Sequence, residues 1–358
     1  MRATFAGKRV LVTGHTGFKG SWLCTWLAEL GAEVFGYAKD PTSTPNVFTL
    51  AKVAADDVRG DVRDAAAVVK RVTEVKPDFV FHLAAQPLVR ASYDDPVETF
   101  ATNVLGTVHV LDAVRQLARP CVVVIVTTDK VYEDTGGVYA ARETDPLGGS
   151  DPYSASKACA EIATSSYVRS FFGAGSPILV ASARAGNVIG GGDFAVDRLV
   201  PDIVRAVQAK RPLELRHPNA VRPWQHVLEP LSGYLWLAAR LAGSEGRAFA
   251  EGWNFGPSTE GVRTVREIAE RATDVLGKSP IVVGEQDALR HEMASLTLTT
   301  DKARRRLGWT PVWTIDRAIE ETMTWYRASF AGEDMHAYTL RQIADYVRDA
   351  GAASAPWA

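Results

Sequence analysis

The chain has little cysteine and no long apolar run. These two absences narrow the classes of protein to which it can belong. Three cysteines occur in 358 residues, at Cys24, Cys121 and Cys159. They are too few and too scattered for a disulfide framework or a zinc site, so we expect buried free thiols and no metal. No stretch of about 18 apolar residues is present, so the sequence predicts no membrane-spanning helix.

An excess of charge of either sign is also missing. The formal net charge is −2, from 40 basic and 42 acidic residues. This balance gives no global reason to expect a nucleic-acid or membrane partner. The first residues lack the apolar core of a secretory leader, so we expect a cytoplasmic protein. A hydrophobic content of 46% is typical of a globular chain with a sizeable core.

The first half of the sequence alternates apolar strands with helical stretches. The segments "RVLVTG", "EVFGYA", "DFVFHLAA" and "CVVVIVTTD" predict strands. The last two are nearly continuous in apolar residues, as in parallel strands that are covered on both faces. The order βαβαβ predicts an α/β fold, namely a Rossmann-like doubly wound parallel sheet.

The composition changes after about Ile189. Glycine-rich and irregular polar segments are followed there by short helical stretches. We therefore expect a smaller C-terminal lobe. The predicted division assigns residues 1–186 to the Rossmann-like domain, with later returns near 223–256, and residues 187–222 and 257–350 to the lobe. The final "GAASAPWA" is expected to be a frayed end.

A glycine-rich segment, "VTGHTGFKGSW", joins the first predicted strand to a helix. The spacing G-x-x-G-x-x-G occurs in the strand–turn–helix context that brings backbone N–H groups to a pyrophosphate. A simple tight turn is the alternative. The expected cofactor contacts in this segment are Gly14, His15, Thr16, Gly17, Phe18 and Lys19.

The choice of dinucleotide depends on the residues that follow the second strand. An acid normally binds the ribose hydroxyls near Ala38, and Asp40 lies two residues later. Lys39 would tolerate a 2′-phosphate. We expect NAD rather than NADP.

Two further segments carry groups suited to acid–base chemistry. In "DPYSASKACAE", Tyr153 and Lys157 share one face of a predicted helix. A nearby ammonium favours the phenolate, so Tyr153 is a candidate base whose pKa Lys157 would lower. In "VTTDKVY", Thr128 stands at the carboxyl edge of a buried strand, where a doubly wound sheet binds its ligands. Asp129 and Lys130 follow it, and a helix cap with a solvated charge pair is the alternative there.

The chain resembles the extended branch of the short-chain dehydrogenase/reductase superfamily and, within it, the family of CDP-glucose 4,6-dehydratases. The resemblance is carried by "TGHTGFKGSWL", "HLAAQPLVR", "TTDKVY", "DPYSASK", "RAGNVIGGGD" and "RPWQHVLEPLSGY". It implies NAD as a recycled cofactor, bound by the Rossmann domain, and a nucleotide sugar as substrate, bound with the help of the C-terminal lobe. It also implies a homodimer, formed through the helices near 99–117 and 153–172.

The resemblance extends to individual site residues. It adds Asp61, Val62, Leu83, Ala84, Ala85 and Asn103 to the cofactor-binding set, together with Tyr153 and Lys157. It implies a substrate-binding set of Gln86, Asn187, Arg198, Arg216, Arg222 and Arg290. A turn-capping acid is the alternative for Asp61. A solvated surface charge is the alternative for each arginine taken alone.

The implied reaction is dehydration of CDP-D-glucose to CDP-4-dehydro-6-deoxy-D-glucose. Tyr153 takes the 4-hydroxyl proton, and Thr128 hydrogen-bonds the same oxygen. Hydride moves from C4 to the cofactor, water leaves from C5 and C6 with Asp129 as the acid, and the hydride returns to C6. Lys130 stands where many relatives have a glutamate base. It is either a neutral base, if burial beside Lys157 lowers its pKa, or a cation that stabilises the enolate.

One departure from the family pattern concerns the sugar pocket, and two other functions remain as alternatives. Ala140 and Ala141 replace a bulky segment with a tyrosine before "DPYS". This change predicts a wider sugar pocket, and it leaves another nucleotide hexose or a heptose possible as substrate. A nucleotide-sugar 4-epimerase shares the fold, the cofactor and the tyrosine, but it needs no acid at Asp129. A protein that only senses NAD needs neither Tyr153 nor Lys157.

Overall fold

The computed structural model describes residues 1–134, 136–258, 262–284 and 297–358. The strands are β1 (Arg9–Thr13), β2 (Glu33–Ala38), β3 (Asp56–Arg59), β4 (Phe79–His82), β5 (Cys121–Val126), β6 (Ile178–Ala185), β7 (Val188–Ile189), β8 (Leu213–Leu215), β9 (Val221–Pro223), β10 (Gln225–His226), β11 (Gly252–Phe255), β12 (Val262–Thr264) and β13 (Ile281–Val283). The helices are α1 (Arg2–Phe5), α2 (Phe18–Glu29), α3 (Val47–Leu50), α4 (Ala65–Val75), α5 (Val89–Asp94), α6 (Pro96–Phe100), α7 (Gly106–Arg115), α8 (Pro152–Phe171), α9 (Leu199–Gln208), α10 (Leu228–Leu241), α11 (Val265–Leu276), α12 (Ile315–Phe330) and α13 (Met335–Ala352). Short π-helical turns cover Ala101–Leu105 and Ala303–Leu307, and short 3₁₀ turns cover Asp129–Val131 and Gly246–Phe249.

Seven of these strands form one parallel sheet within the described residues. Their order is β11–β6–β5–β4–β1–β2–β3. The chain winds outward in one direction from β1 and in the other from β4, so the strand order reverses between these two strands. A crevice therefore opens beyond their carboxyl ends. The predicted doubly wound α/β fold is confirmed.

Two apolar clusters fill the two faces of the sheet. Val10 and Val12 pack into one cluster with residues of α2 and α10, and Leu11 packs into the other with residues of α4 and α7. Neighbouring strand residues point to opposite faces, so burial on both sides requires an unbroken apolar run. This requirement explains why β5 is buried at all of its positions.

The second half of the chain builds smaller elements and then returns to the sheet. Three two-stranded pairs form, β10 with β7, β12 with β9 and β13 with β8. Helix α11 packs between α9 and α12. The return occurs at β11, which pairs in parallel with β6 at the edge of the main sheet.

The last helix, α13, lies against the first half of the chain, although most of its residues fall in the segment that the sequence analysis assigned to the lobe. Helix α13 packs on α2, where the rings of Trp26 and Tyr346 are 5.8 Å apart. Trp357 belongs to the end that was expected to fray, and that expectation is wrong. Its side chain is 1% exposed and stacks on Tyr346 at 5.6 Å. Burial of so large an aromatic group offsets the entropy lost in ordering the terminal residues.

The buried side chain of Glu229 stabilises the packing of these C-terminal elements. Glu229 accepts hydrogen bonds from the backbone N–H groups of Val312 at 3.0 Å and Trp313 at 2.7 Å. The hydroxyl of Tyr346 donates to it at 2.7 Å. Burial raises the pKa of Glu229 to about 7, against the lowering effect of these bonds. The carboxylate thus connects α10, the segment before α12, and α13.

Candidate active site

A cleft of about 820 Å³ opens at the carboxyl ends of β1, β4 and β5. Residues that follow these strands line it, among them Gly14, Ala84 and Thr128. Residues of the second half, including Arg216 and Arg222, line its other side. Its size and position are those of a ligand site at the switch point of an open α/β sheet.

The glycine-rich segment brings backbone close to backbone at one end of the cleft. Gly14 has a φ of +75°, and a Cβ there would lie 2.7 Å from the nitrogen of Ala84. A Cβ at Gly20 would lie 2.1 Å from the Gly14 oxygen. Helix α2 starts here with Gly17 as N-cap and without a side-chain cap. Its first N–H groups therefore face the cleft, and the cradle fits the pyrophosphate of a dinucleotide.

The predicted cofactor-binding residues fall into two groups. Those that line the cleft are Gly14, Thr16, Gly17, Phe18, Lys19, Asp40, Asp61, Val62, Leu83, Ala84, Ala85, Tyr153 and Lys157. The side chain of His15 is instead buried, with Nε2 2.8 Å from Asp57 Oδ1. His15 can therefore contribute only its backbone to the cradle.

Asn103 also lies away from the cleft surface and has a supporting position. It donates to the oxygen of Gln86 at 3.1 Å and to Ser156 Oγ at 2.9 Å. It accepts from the nitrogen of Gln86 at 2.9 Å. These bonds hold the loop after β4 against α8, so Asn103 positions the site and does not line it.

The acids near the expected adenosine end differ in exposure. The Asp40 side chain is 87% exposed and lies 3.5 Å from Arg59. Asp61 accepts from Arg63 Nε at 2.9 Å and from the Arg63 backbone nitrogen at 2.9 Å. The Arg63 hydrogen bonds lower the pKa of Asp61. Asp61 therefore caps a turn, which was its alternative, and lines the cleft as well.

The segment after β5 places a buried acid in the cleft. Thr128 caps the 3₁₀ turn: its Oγ1 accepts from the Lys130 nitrogen at 3.3 Å and donates to Asp129 Oδ1 at 2.9 Å. Asp129 is 2% exposed, and its Oδ2 has no partner in the described part of the structure. Burial raises the pKa of Asp129, although the charge of Lys130 opposes this. A raised pKa favours the protonated carboxyl, which is the form that can donate a proton to a leaving group.

Helix α8 brings the second half of the chemistry to the same place. It begins at Pro152, with Asp151 as N-cap accepting from the Ser154 nitrogen. Tyr153 and Lys157 line the cleft from one face of this helix. Lys157 is 4% exposed and donates to the Val126 oxygen at 3.0 Å. Burial lowers the pKa of Lys157 to about 8.

The pKa of Tyr153 differs from the expectation. Burial raises it to about 12, and this effect outweighs the lowering by the Thr128 hydrogen bond and the Arg198 charge. The ammonium of Lys157 points to a carbonyl of β5, so the expected lowering by Lys157 is not seen. A hydrogen bond between Tyr153 and Thr128 nevertheless links Tyr153 to the segment that carries Asp129.

Two arginines of the cleft wall form ion pairs with aspartates. The cleft lining includes Gln86, Asn187, Arg198, Arg216 and Arg222, which stay candidates for substrate contacts. Arg198 donates to Asp193 at 3.0 Å, and Arg216 donates to Asp197 at 2.9 Å. Arg290 lies outside the described residues.

The sequence predicted that the small side chain of Ala141 widens the sugar pocket, but the structure does not place Ala141 in the cleft wall. Ala141 is buried in a small cluster with Val131, Tyr132, Ala158 and Leu298, and it is not among the described residues that line the cleft. Its oxygen accepts from Asn254 Nδ2 at 3.1 Å. The loss of a larger side chain here therefore does not widen the cleft directly, because Ala141 packs behind the catalytic turn.

Two buried charges near the site were missed in the sequence. Glu161 lies four residues after Lys157 on the same helix face, and this spacing was an available signal. Arg184 lies within the apolar strand β6, where a lone charge indicates a buried partner. The two side chains pair at 2.8 Å.

The described residues contain no group of three or more His, Cys, Asp or Glu side chains that could hold a metal ion. Within the same ranges, none of the helices has both the length and the apolar character needed to cross a membrane.

Comparison with known proteins assigns the family. A family model described as GDP-mannose 4,6 dehydratase matches residues 11–322. The CDP-glucose 4,6-dehydratase of Salmonella typhimurium is 46% identical over 347 residues, which cover 95% of this chain and 96% of that protein. This chain belongs to the nucleotide-sugar 4,6-dehydratase family. The predicted family and enzyme class are confirmed.

Solved structures agree with this assignment. A double mutant of DesIV, the dTDP-glucose 4,6-dehydratase of Streptomyces venezuelae, has NAD bound; it is 26% identical with a TM-score of 0.77, covering 91% of this chain and 98% of that chain. MoeE5, in complex with UDP-glucose and NAD, is 26% identical with a TM-score of 0.75, covering 90% and 99%. Structural relatives of this 4,6-dehydratase thus bind NAD and nucleotide sugars.

Proposed function

We propose that this chain uses NAD to convert CDP-D-glucose into CDP-4-dehydro-6-deoxy-D-glucose and water. The observation that carries the proposal is the row formed by Tyr153, Thr128 and Asp129 in one cleft. A 4-epimerase needs the phenol and the hydroxyl but not a buried acid beside them. The sequence identity of 46% with the CDP-glucose 4,6-dehydratase of Salmonella typhimurium supports the choice of nucleotide.

The cofactor site is assigned to the glycine cradle and the neighbouring cleft. When bound, NAD supplies a hydride acceptor that gives the hydride back within the same turnover. The backbone around Gly14 and Gly17 would hold the pyrophosphate, and Asp61 with Val62 would lie at the adenine. Asp40 at the cleft edge favours free ribose hydroxyls over a 2′-phosphate, which supports NAD over NADP.

Tyr153 and Thr128 act on the 4-hydroxyl of the sugar. Tyr153 receives the proton of this hydroxyl, and Thr128 hydrogen-bonds the same oxygen. The Thr128 hydrogen bond and the charge of Arg198 favour the phenolate that this step needs. We further infer that Lys157 moves its ammonium from the Val126 carbonyl to the ribose and the phenol when the cleft is filled.

Asp129 and Lys130 act on the other side of the sugar. Burial raises the pKa of Asp129, which favours the protonated carboxyl, and this carboxyl gives its proton to the departing 6-hydroxyl. Lys130 is half-buried beside it, and its charge already acts on Asp129. We assign Lys130 as the cation that stabilises the enolate formed when C5 passes its proton to a solvent water molecule in the cleft.

The partner we propose is a second copy of the chain. Five apolar side chains are exposed on α6, α8 and the π-helical turn: Val97, Phe100, Leu105, Ile162 and Phe171. These helical segments pack against each other. If these helical segments packed against the same segments of a second copy, this apolar surface would be removed from water. Sedimentation at micromolar concentration should give a dimer, and a monomer would contradict this assignment.

Incubation with CDP-, dTDP-, GDP- and UDP-glucose tests the proposed function. We expect loss of one water from CDP-glucose, without net NADH, and no turnover by the Tyr153→Phe variant. Epimerised CDP-glucose at full mass would identify a 4-epimerase. Dehydration of another glucose nucleotide in preference to CDP-glucose would overturn the choice of nucleotide.

A further inference from the structure

A buried ion pair lies beneath the catalytic residues and joins α8 to β6. Glu161 Oε2 and Arg184 Nη2 are 2.8 Å apart, and their side chains are 3% and 6% exposed. Glu161 follows Lys157 by one helical turn and Tyr153 by two, so it lies below them on the same face of α8. Ser182 of β6 also donates to Glu161, at 2.6 Å.

This pair contacts both ends of the catalytic turn. On one side, Thr127 Oγ1 donates to Glu161 Oε1. On the other side, Arg184 Nη1 donates to the hydroxyl of Tyr132 at 2.7 Å. Thr127 and Tyr132 flank residues 128–131, which carry Thr128, Asp129 and Lys130. A single buried pair therefore connects the helix of Tyr153 to both ends of the segment of Asp129.

The connection continues to β11 behind the turn. The Tyr132 hydroxyl donates to Asn254 Oδ1 at 2.7 Å, and Asn254 Nδ2 donates to the Ala141 oxygen at 3.1 Å. The backbone nitrogen of Asn254 donates to Glu143 Oε1 at 3.0 Å. Tyr132 is thereby held from two strands of the sheet, β6 and β11. The end of the catalytic turn has no freedom to shift without breaking these bonds.

Stability alone does not explain an ion pair at this depth. Removing two charges from water is costly, and a well-packed apolar pair at such a position is often equally stable or more stable. An apolar pair makes no directional hydrogen bonds, so it could not hold the hydroxyls of Thr127 and Tyr132 in place. Directed hydrogen bonds matter where two catalytic groups on different elements act on different carbons of one sugar.

We propose that Glu161 and Arg184 are positioning residues that fix Asp129 relative to Tyr153. This inference rests on the proposed function, since it concerns the alignment of the acid for water loss with the base for oxidation at C4. Loss of either link shifts the turn that carries Thr128, Asp129 and Lys130, whereas Tyr153 is held separately by α8. Oxidation at C4 then loses the alignment of Thr128 alone, whereas water loss loses the alignment of both Asp129 and Lys130. Water loss should then slow more than oxidation at C4.

The test uses two variants that each cut one link and leave the pair itself intact. Thr127→Val removes the hydroxyl that reaches Glu161, with Thr127→Ser as its conservative match. Tyr132→Phe removes the hydroxyl between Arg184 and Asn254. Single turnovers of NAD-loaded enzyme with CDP-glucose would follow reduced nicotinamide and the 4-keto-6-deoxy product. We expect water loss to slow by roughly 10- to 100-fold in both variants, with oxidation at C4 changed much less.

The expected signature is therefore accumulation of reduced nicotinamide in the valine and phenylalanine variants, and recovery in Thr127→Ser. Ser182→Ala is the matched control, because it removes a hydrogen bond to Glu161 that does not reach the catalytic turn. It should lose stability without accumulating reduced nicotinamide. Equal slowing of both steps, or accumulation in Ser182→Ala, would mean that the network is only structural. A wild-type protein that dehydrates no CDP-glucose would instead overturn the proposed function.

Discussion

Thr128 donates a hydrogen bond of 2.9 Å to Oδ1 of Asp129, and the same hydroxyl hydrogen-bonds Tyr153. A hydroxyl has one proton, so it can donate to the carboxylate or to the phenolate but not to both. When Tyr153 ionises and takes this donor, Asp129 loses stabilisation of its anion and binds its own proton more tightly. The base for oxidation and the acid for water loss are thus coupled through Thr128.

Replacing Thr128 should therefore slow the first step. The Thr128→Val variant lacks the donor to the phenolate and to the sugar oxygen, so we expect oxidation at C4 to fall by about 10²-fold. Thr128→Ser keeps the hydroxyl and should stay near the wild-type rate. The appearance of reduced nicotinamide in a single turnover measures this step. Equal rates for the valine and serine variants would contradict the role of the hydroxyl.

Removing the acid should separate oxidation from elimination. In Asp129→Asn we expect oxidation at C4 to survive and water loss to slow by about 10²–10⁴-fold, because the departing hydroxyl has no proton donor. Reduced nicotinamide should accumulate, and mass spectrometry of the quenched reaction should find the 4-keto sugar with its 6-hydroxyl. Asp134→Asn, on the exposed part of the same loop, is the matched control. Unchanged elimination in the Asp129 variant would remove Asp129 from the mechanism.

The role of Lys130 can be decided with two replacements. A guanidinium stays charged and cannot act as a neutral base. If Lys130 stabilises the enolate as a cation, Lys130→Arg should keep water loss within about tenfold, whereas Lys130→Met should lose about 10²–10³-fold. Exchange of the C5 hydrogen with heavy water reports the same step. An arginine variant as slow as the methionine variant would show that Lys130 acts as a base.

Glu229 should make stability depend on pH. Its folded-state pKa is raised from 4.5 to about 7, so its contribution to the free energy of unfolding is fully present below 4.5. That contribution is lost as the pH rises through 7, and the loss is on the order of 3 kcal/mol. Denaturation of wild type and Glu229→Gln at about pH 5 and about pH 8 measures it. The stability advantage of wild type should shrink at the higher pH.

The exposed Glu245→Gln variant is the control for this prediction. It should follow the pH dependence of wild type. A wild-type advantage over Glu229→Gln that is the same at both pH values would contradict the assignment of the raised pKa to Glu229.

The sheet and the cradle were predictable because local patterns determine them. An apolar run such as β5 has to be buried on both faces, and three spaced glycines after β1 allow the backbone approach that larger residues would block. Tyr153 and Lys157 were found because helical spacing places them on one face. Each of these signals lies within a few neighbouring residues.

Features that depend on distant contacts were missed. Trp357 is buried because Tyr346 and Trp26 meet it there, and Trp26 is far away in the sequence. The pKa of Tyr153 depends on how deeply the cleft buries it, which helical spacing does not reveal. The reason for a buried arginine at position 184 is its ion pair with Glu161, which lies on another element. In each case a tertiary contact determines the feature, and the local sequence pattern does not indicate it.

The central claim is that the hydride taken from C4 returns to C6 of the same sugar. Turnover of CDP-glucose carrying deuterium at C4 tests it most directly, with the product examined by mass spectrometry and NMR. We expect a product that has lost one water and carries the deuterium at C6, with none in the free cofactor. Deuterium that stays at C4 of an epimerised sugar, or that leaves with released NADH, would contradict the account.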